Sequence, residues 1–175
     1  YMKNAYSLAE LILSLNVPIL GICYGLQLLS HHFKGSVKGG VTREFGKTNI
    51  HITSRKGILS GVTSDLTVWM SHHDHIKKLP RGFKATSKSE NGLISSFEAV
   101  KERIYGVQFH PEVNHTQQGI KILNNFLYKI CRIKNKWQMG SFINEKVKEI
   151  KQLVGNEKAI CAMSGGVDSA VAAYM

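Results

Sequence analysis

The chain has 175 residues, of which 43% are hydrophobic and 20% charged, a composition that predicts a globular protein and excludes a disordered one. Its net charge of +11 is spread along the chain without an aromatic RNA-binding signature, so we expect no nucleic-acid partner. No run reaches the roughly 20 apolar residues that cross a bilayer, so we expect no membrane partner. The three widely spaced cysteines predict no disulfide and a reducing, cytoplasmic location.

Helical and strand periodicities alternate along the first two thirds of the chain. Helical spacing of apolar residues predicts helices over 4–15 and 24–33, on either side of a short buried strand over 17–22. Beyond Thr48 the period shortens toward two, which predicts strands. These strands are 49–53, 66–70, 83–87, 93–99 and 104–109, with the last two forming a hairpin, and a helix follows over 114–130. The pattern predicts an α/β fold with an antiparallel insertion.

A second domain is predicted after a basic, weakly periodic linker at 132–140. Ser141 is placed to cap an amphipathic helix over 142–154, and a buried strand over 158–163 precedes a helix that starts at Asp168. We therefore predict domains at 1–131 and 141–175. Both domains are expected to be partial, with N-terminal strands missing from the first and most of the second missing at its C-terminal end.

A cysteine lies at the junction between a predicted strand and a predicted helix. The run Gly21-Ile22-Cys23-Tyr24-Gly25 has the form of a nucleophile elbow, in which a tight turn projects the reactive side chain. We expect glycine at 21 and 25 because a Cβ at either position would collide with crossing backbone. The helix N-terminus should favour the Cys23 thiolate, and the N–H of Tyr24 can donate to an oxyanion.

His110-Pro111-Glu112 follows the last strand of the first domain, at the carboxyl end where active sites of α/β folds gather. His110 can then manage the proton of Cys23, and Glu112 can hold the imidazole in the useful tautomer. The alternative is a buried core thiol and an unrelated surface histidine. That alternative requires the elbow, the separate strand and the His-Pro-Glu run all to be coincidental.

Residues 20–27 and 106–112 resemble the signatures of the class I (triad) glutamine amidotransferases, which have a flavodoxin-like open sheet. The resemblance implies that Cys23 attacks the side-chain amide of glutamine, giving a glutamyl thioester and ammonia. His110 would serve as base and acid, oriented by Glu112, and Gln27 would contact the substrate glutamine. The family's upstream glycine-rich loop, which supplies another oxyanion donor, is absent from this sequence.

Ser164-Gly165-Gly166-Val167-Asp168-Ser169 has the parts of an anion cradle between a strand and a helix. It lacks the lysine of a Walker loop, and a plain glycine–serine turn is the alternative. The run resembles the PP-loop of the N-type ATP pyrophosphatases, which have an adenine-nucleotide α-hydrolase-like α/β domain. That resemblance implies ATP binding by Ser164 to Ala170, with Mg²⁺ reached through Asp168.

The order of the two motifs on one chain resembles the GMP synthase family, as do the run 68–72, His115-Thr116 and the linker residues Phe126, Cys131 and Trp137. The resemblance implies that ATP adenylates xanthosine monophosphate (XMP), that ammonia then displaces AMP to give GMP, and that the full-length protein is a homodimer. Two alternatives remain: a related ligase acting on another carbonyl acceptor, and a non-catalytic, basic RNA-binding module.

The chain departs from that family at one position, because it has Ser71-His72-His73-Asp74 where the family commonly reads Ser-His-Gly-Asp. If position 73 required a positive φ, histidine would cost on the order of 1 kcal/mol there. Ser71 and His72 are candidates for seating glutamine, and a structural turn is the alternative. His72, His73 and His75 look like a metal cluster, but the resemblance implies exposed loop histidines. No carboxylate or cysteine spacing supports zinc either.

Overall fold

The computed structural model describes residues 10–134 and 139–174. The chain divides into two compact units, residues 1–133 and 134–175. Helix α1 (Glu10–Ser14) confirms part of the helix predicted over 4–15, and residues 4–9 of that prediction lie outside the described residues. Within the described part of the chain, no helix is both long and apolar enough to cross a membrane.

The first unit is built on one six-stranded sheet. The strands are β1 (Ile19–Ile22), β2 (Ser36–Ile52), β3 (Asp65–Lys78), β4 (Lys84–Ser89), β5 (Ile94–Ala99) and β6 (Ile104–Val107). Their order across the sheet is β1-β6-β5-β4-β2-β3. Strands β1 and β6 pair in parallel, and every other neighbouring pair is antiparallel. The predicted α/β fold with an antiparallel insertion is confirmed, including the hairpin of β5 and β6.

Apolar residues cover both faces of this sheet because successive strand residues point to opposite sides. Ile104 belongs to one buried cluster, together with Leu26 and Leu29 of helix α2 (Tyr24–His32). Tyr105 and Val107 belong to the other, with residues of β2 and β3 and the last helical segment of the unit. The sheet is therefore sandwiched between helical layers, and α2 is held where β1 ends.

Three elements of the first unit differ from the sequence prediction, and one of them is β3, which runs from Asp65 to Lys78 where 66–70 was predicted. Strand β2 begins at Ser36, well before the predicted strand over 49–53, and pairs with β3 over most of its length with a register shift between Gly39 and Glu44. Its first half escaped prediction because it is glycine-containing and polar. Helix α3 (Gly119–Asn124) begins five residues later than predicted and continues as a π-helical segment, Asn125–Ile130.

The late start of α3 has a physical cause, because the residues before it bind to β3. The N–H of Gln117 donates to the carbonyl of Thr67 at 3.0 Å, and its side-chain carbonyl accepts from the Thr67 N–H at 3.0 Å. The hydroxyl of Thr116 accepts from the N–H of Trp69 at 3.0 Å. These bonds hold the segment against the sheet in place of a first helical turn.

The second unit contains helix α4 (Met139–Val154) and helix α5 (Val167–Tyr174). Ser141 lies inside α4, so its predicted role as N-cap is wrong. The predicted strand over 158–163 is also wrong, because these residues are exposed and not part of any sheet. A strand needs a hydrogen-bonded neighbour, and residues 139–174 contain no other strand to supply one. The predicted last helix is confirmed as α5.

Candidate active site

Cys23 is the single residue between β1 and α2, and its backbone is strained. Its φ of 51° and ψ of −107° lie in a region that residues other than glycine rarely adopt. The N–H of Cys23 donates to the carbonyl of Val107 at 2.8 Å, which fixes the turn to the end of β6. The predicted strand–turn–helix elbow is therefore present, and the sulfur lies at the carboxyl edge of the two parallel strands.

The two glycines of the elbow have different roles. A Cβ at Gly21 would lie 2.6 Å from Cδ1 of Leu29 and 2.7 Å from the backbone carbonyl of Gly25. A Cβ at Gly25 would meet no atom within 4 Å. The expected collision is thus confirmed at Gly21 and wrong at Gly25, because the Gly25 position opens away from the crossing backbone.

Replacing Gly21 with alanine should therefore destabilise the first unit, by about 1–3 kcal/mol, since backbone as well as a side chain must move. Gly25→Ala is the matched control. It should leave the free energy of unfolding unchanged or raise it by up to about 1 kcal/mol, because alanine has the higher helix propensity. Urea unfolding, combined with hydrogen exchange of peptides from β1 and α2, measures both changes. Equal losses in the two variants would show that the close approach at Gly21 is unimportant.

The sulfur of Cys23 is half-buried among polar groups. It lies 3.7 Å from Nε2 of Gln108, which donates to it, and 3.7 Å from the carbonyl oxygen of Ser71. Burial raises the pKa of the Cys23 thiol; the Tyr24 N–H and the Gln108 amide counteract part of the rise, and the negative charge of Glu112 adds to it. The helix N-terminus alone therefore does not make the thiolate the resting form, and a base is needed.

His110 and Glu112 form a hydrogen-bonded pair. Nδ1 of His110 lies 2.6 Å from Oε1 of Glu112, and about a quarter of the imidazole is exposed. Because an ionised carboxylate only accepts, Nδ1 is the donor and Nε2 is left available for proton transfer. This is the arrangement that the His-Pro-Glu run predicted.

The backbone of His110 is fixed from two sides. Its N–H donates to the carbonyl of Trp69 at 3.0 Å, and its carbonyl accepts from the hydroxyl of Thr116 at 2.6 Å. The ring of Trp69 packs against that of His115, with 4.7 Å between centroids. His110 is thus held after β6 by residues of the run 68–72 and by His115-Thr116. This explains why these residues accompany the His-Pro-Glu run.

Cys23 and His110 make no hydrogen bond to each other in the described part of the chain. They are brought to the same edge by the parallel pairing of β1 and β6, in which Ile22 is opposite Val107. Catalytic hydrogen bonds are often long in free enzymes and tighten when substrate binds. The geometry therefore places the Cys23 thiol and the oriented imidazole of His110 after neighbouring strands, and their catalytic roles stay predictions.

A pocket of about 360 Å³ opens beside the sulfur. It is lined by Cys23, Tyr24, Gln27, Ser71, His72, His73 and Asp74. Ser71 contributes its carbonyl oxygen to Cys23, and its side chain is exposed. Four sequence candidates for binding glutamine (Tyr24, Gln27, Ser71 and His72) therefore surround one cavity, and their contacts with substrate stay predictions.

The histidines of this wall correct three expectations. Residues 71–74 belong to strand β3, so the alternative of a structural turn is wrong, and His73 does not have a positive φ, so the expected strain is absent. His72 is buried and not an exposed loop residue, with its side chain only 2% exposed. Alternation along β3 points His72 inward and His73 outward.

The sequence of the first unit matches a known family. The model of the class-I glutamine amidotransferases covers residues 1–130. The chain belongs to this family. The match, together with the sheet, confirms the predicted flavodoxin-like α/β fold of a class I amidotransferase and supports glutamine hydrolysis as the chemistry of the Cys23 pocket.

The amidotransferase is similar along its whole length to glutamine-hydrolysing GMP synthases. It is 48% identical to that of Clostridium perfringens and 49% identical to that of Thermosipho melanesiensis, over 175 residues in each case. These residues are 100% of this chain and 34% of each relative, so the chain spans about a third of their length. The resemblance that the motif order predicted is confirmed.

Two crystal structures are similar to the amidotransferase. That of a GMP synthase subunit from Thermoplasma acidophilum has a TM-score of 0.67 and 37% identity, covering 79% of this chain and 65% of that one. That of a glutamine amidotransferase from Thermotoga maritima has a TM-score of 0.54 and 25% identity, covering 82% of this chain and 60% of that one.

Two polar residues at the site of the amidotransferase were missed by sequence reasoning. Gln108 contacts the sulfur directly, and its place in the run 106–112 was a signal that could have identified it. Glu44 lies on β2 with Oε2 2.9 Å from Nε2 of His72, and both side chains are almost fully buried. No sequence motif marks Glu44, because its pairing depends on the register of β2 against β3.

The predicted phosphate loop lies in the second unit, with Ser164 to Gly166 directly before α5 and Val167 to Ser169 at the start of that helix. Gly165 has a φ of +79°, and the Gly166 N–H lies 3.4 Å from the hydroxyl oxygen of Ser164. The hydroxyl of Ser169 donates to the carbonyl of Gly166 at 2.9 Å, and Asp168 lies in the first turn of the helix. The loop is exposed, so its backbone and hydroxyl groups are accessible to an anion.

Proposed function

We propose that the full-length protein is a glutamine-hydrolysing GMP synthase, which uses glutamine, ATP and XMP to make GMP, glutamate, AMP and pyrophosphate. The observation that carries the proposal is the strained Cys23 elbow beside the oriented His110–Glu112 pair. The similarity of the whole chain to GMP synthases, including the second unit, supports the choice of acceptor.

The residues of the first unit fit the glutaminase half-reaction. His110 takes the proton of Cys23 through Nε2, and the sulfur attacks the side-chain carbon of glutamine. The N–H of Tyr24, at the start of α2, is placed to donate to the developing oxyanion. His110 then protonates the leaving nitrogen, ammonia departs, and water hydrolyses the glutamyl thioester with His110 again as base. Glu112 keeps the imidazole oriented throughout.

The residues of the second unit fit an ATP site. In the proposed reaction the C2 oxygen of XMP attacks the α-phosphorus of ATP and pyrophosphate leaves. Ammonia then bonds to C2 and AMP leaves. The run from Ser164 to Ala170 offers backbone N–H groups and hydroxyls to the phosphates, as anion-binding loops do. The carboxylate of Asp168 is a hard oxygen ligand suited to Mg²⁺, which would neutralise charge on the pyrophosphate.

Two wider parts of the proposal follow from the chemistry and from the resemblance. The three cysteines are free, and a nucleophilic thiol needs a reducing compartment, which supports a cytoplasmic location. The resemblance to GMP synthases supports a homodimer of the full-length protein. It also supports an amidotransferase domain at 1–131, a linker at 132–140 and the start of the ATP pyrophosphatase domain at 141–175.

The test is a turnover assay of the full-length protein with XMP, ATP, Mg²⁺ and glutamine. We expect GMP, AMP, pyrophosphate and glutamate in equal amounts, because each ammonia molecule displaces one AMP. Inosine monophosphate, which lacks the C2 oxygen, is the matched control and should give no product. Turnover of a different carbonyl acceptor but not of XMP would show a related ligase instead.

A further inference from the structure

Gln108 is a buried amide whose two ends are both bonded. Only 1% of the residue is exposed, and it directly follows β6. Its Nε2 donates to the sulfur of Cys23 at 3.7 Å, and its Oε1 accepts from Nε2 of Gln27 at 3.1 Å. The second N–H of Gln27 donates to the carbonyl oxygen of Asp74 at 2.8 Å. The three contacts form a continuous series of hydrogen bonds from β3 to the sulfur of Cys23.

The carbonyl of Asp74, at the β3 end of this series of hydrogen bonds, determines the direction of every bond in the series. A backbone carbonyl can only accept, so the nitrogen of Gln27 must face Asp74. That nitrogen also faces Gln108, which must then present its oxygen to Gln27. The remaining nitrogen of Gln108 is left facing the sulfur. A flipped Gln108 would place two N–H groups against each other on one side and an oxygen against sulfur on the other.

We propose that Gln108 is a thiolate-stabilising residue of this site, with its amide oriented by Gln27 so that it always donates to Cys23. The proposal rests on the proposed role of Cys23 as the nucleophile of glutamine hydrolysis. An amide locked as a donor favours the ionised sulfur over the thiol, since hydrogen bonds to charged acceptors are the stronger ones.

The surroundings of the sulfur make such a donor necessary. The titratable groups near it are Glu112 after β6, the β3 residues His72, His73 and Asp74, and Tyr24 on α2. His110 follows β6, the strand that pairs with β1. Glu112 opposes ionisation of Cys23, as does burial. The carbonyl of Ser71 accepts from the thiol and would be repelled by the thiolate. Gln108 and the Tyr24 N–H are the groups that oppose these effects.

The carbonyl of Asp74, at which the series of hydrogen bonds begins, is itself held in place. The carbonyl of Asp74 also lies 3.0 Å from Nδ1 of His72, whose Nε2 is bound to Glu44. The oxygen that orients Gln27 is therefore held by the buried pair of β2 and β3. Because both amides are buried and a backbone carbonyl anchors them at Asp74, the orientation of Gln108 is set before substrate arrives.

The test measures ionisation of Cys23 in the full-length protein without requiring turnover. Iodoacetamide alkylation of the Cys23 peptide is followed by mass spectrometry across a pH series. In Gln108→Met, which removes the donor but adds no charge, we expect the midpoint of the alkylation profile to rise by about one pH unit. The alkylation rate at neutral pH should fall about tenfold. In Gln108→Glu the rise should be larger, because a negative charge then faces the sulfur.

The control is Gln117→Glu, which introduces the same charge at an exposed residue whose side-chain carbonyl accepts from Thr67, a bond that glutamate can keep. Its alkylation profile should match that of the wild type. Unchanged midpoints in both Gln108 variants, with a wild-type urea transition, would overturn the proposal. If the wild type failed to hydrolyse glutamine, the proposed function would be wrong, whereas the comparison of midpoints would still decide the role of Gln108.

Discussion

Replacing Cys23 by alanine in the full-length protein should abolish glutamine-dependent GMP formation while leaving ammonia-dependent formation near the wild-type rate. Loss of a nucleophile typically costs on the order of 10⁴-fold or more in rate, because the residual activity comes only from binding and the oxyanion donors. Ammonia supplied in solution bypasses that step, since the proposed ATP site at Ser164 to Ala170 belongs to the other unit.

The measurement is GMP formation with glutamine or with ammonium chloride as nitrogen donor, at saturating ATP and XMP. Cys131→Ala is the matched control, because Cys131 is a free, half-buried thiol at the end of the first unit and far along the chain from the elbow. It should keep both activities. Retained glutamine use in Cys23→Ala would exclude Cys23 as the nucleophile, and loss of both activities would contradict separate sites.

The sequence predicted the elbow around Cys23 and the strand before His110 because each is formed by a local pattern. The elbow around Cys23 needs only a strand, a turn and a helix in succession, and His110 needs only to follow a strand. The parallel pairing of β1 with β6 then places the two at one edge. Motif and periodicity operate over a few residues, so the sequence contains them, whereas the pairing of β1 with β6 joins distant segments and is supplied by the fold.

The parts that escaped prediction depend on contacts between distant segments. The first half of β2 is polar and glycine-containing, so it is a strand only because β3 pairs with it. His72 was interpreted as an exposed loop residue because no local pattern reveals the carboxylate opposite it across a shifted register. The prediction of a strand over 158–163 was wrong for the converse reason, because an apolar run forms a strand only beside a hydrogen-bonded neighbouring strand.

Glu44 should contribute strongly to the stability of the Cys23 pocket, although it makes no hydrogen bond to Cys23. Its carboxylate binds Nε2 of His72 at 2.9 Å with Oε2 and accepts from Nδ2 of Asn91 at 2.9 Å with Oε1. Glu44→Ala would leave the almost fully buried imidazole and the amide of Asn91 without their acceptor. We expect a loss of about 3–5 kcal/mol in the free energy of unfolding, the usual cost of removing one partner of a buried pair.

The control for that loss is Glu90→Ala. Glu90 accepts from Asn49 at 3.2 Å, but the contact is exposed, so its removal should cost at most about 1 kcal/mol. Urea unfolding of the full-length protein measures both variants, and hydrogen exchange of peptides from β2 and β3 locates the change. Equal small effects would mean that water replaces the carboxylate at His72.

The contribution of Glu44 to the free energy of unfolding should also depend on pH in a defined direction. Burial raises the pKa of this carboxyl, but the hydrogen bonds from His72, Ser89 and Asn91 outweigh it, so the net pKa lies below the ordinary value of 4.5. A carboxyl whose pKa is lower in the folded state stabilises that state at pH values above its unfolded pKa. This stabilisation is lost as the pH falls through the pKa of the folded state. The difference in unfolding free energy between the wild type and Glu44→Gln should thus be constant near neutrality and shrink below about pH 4.5. A difference that stays constant down to pH 3 would show that the Glu44 carboxylate does not stabilise the wall of the Cys23 pocket through its charge.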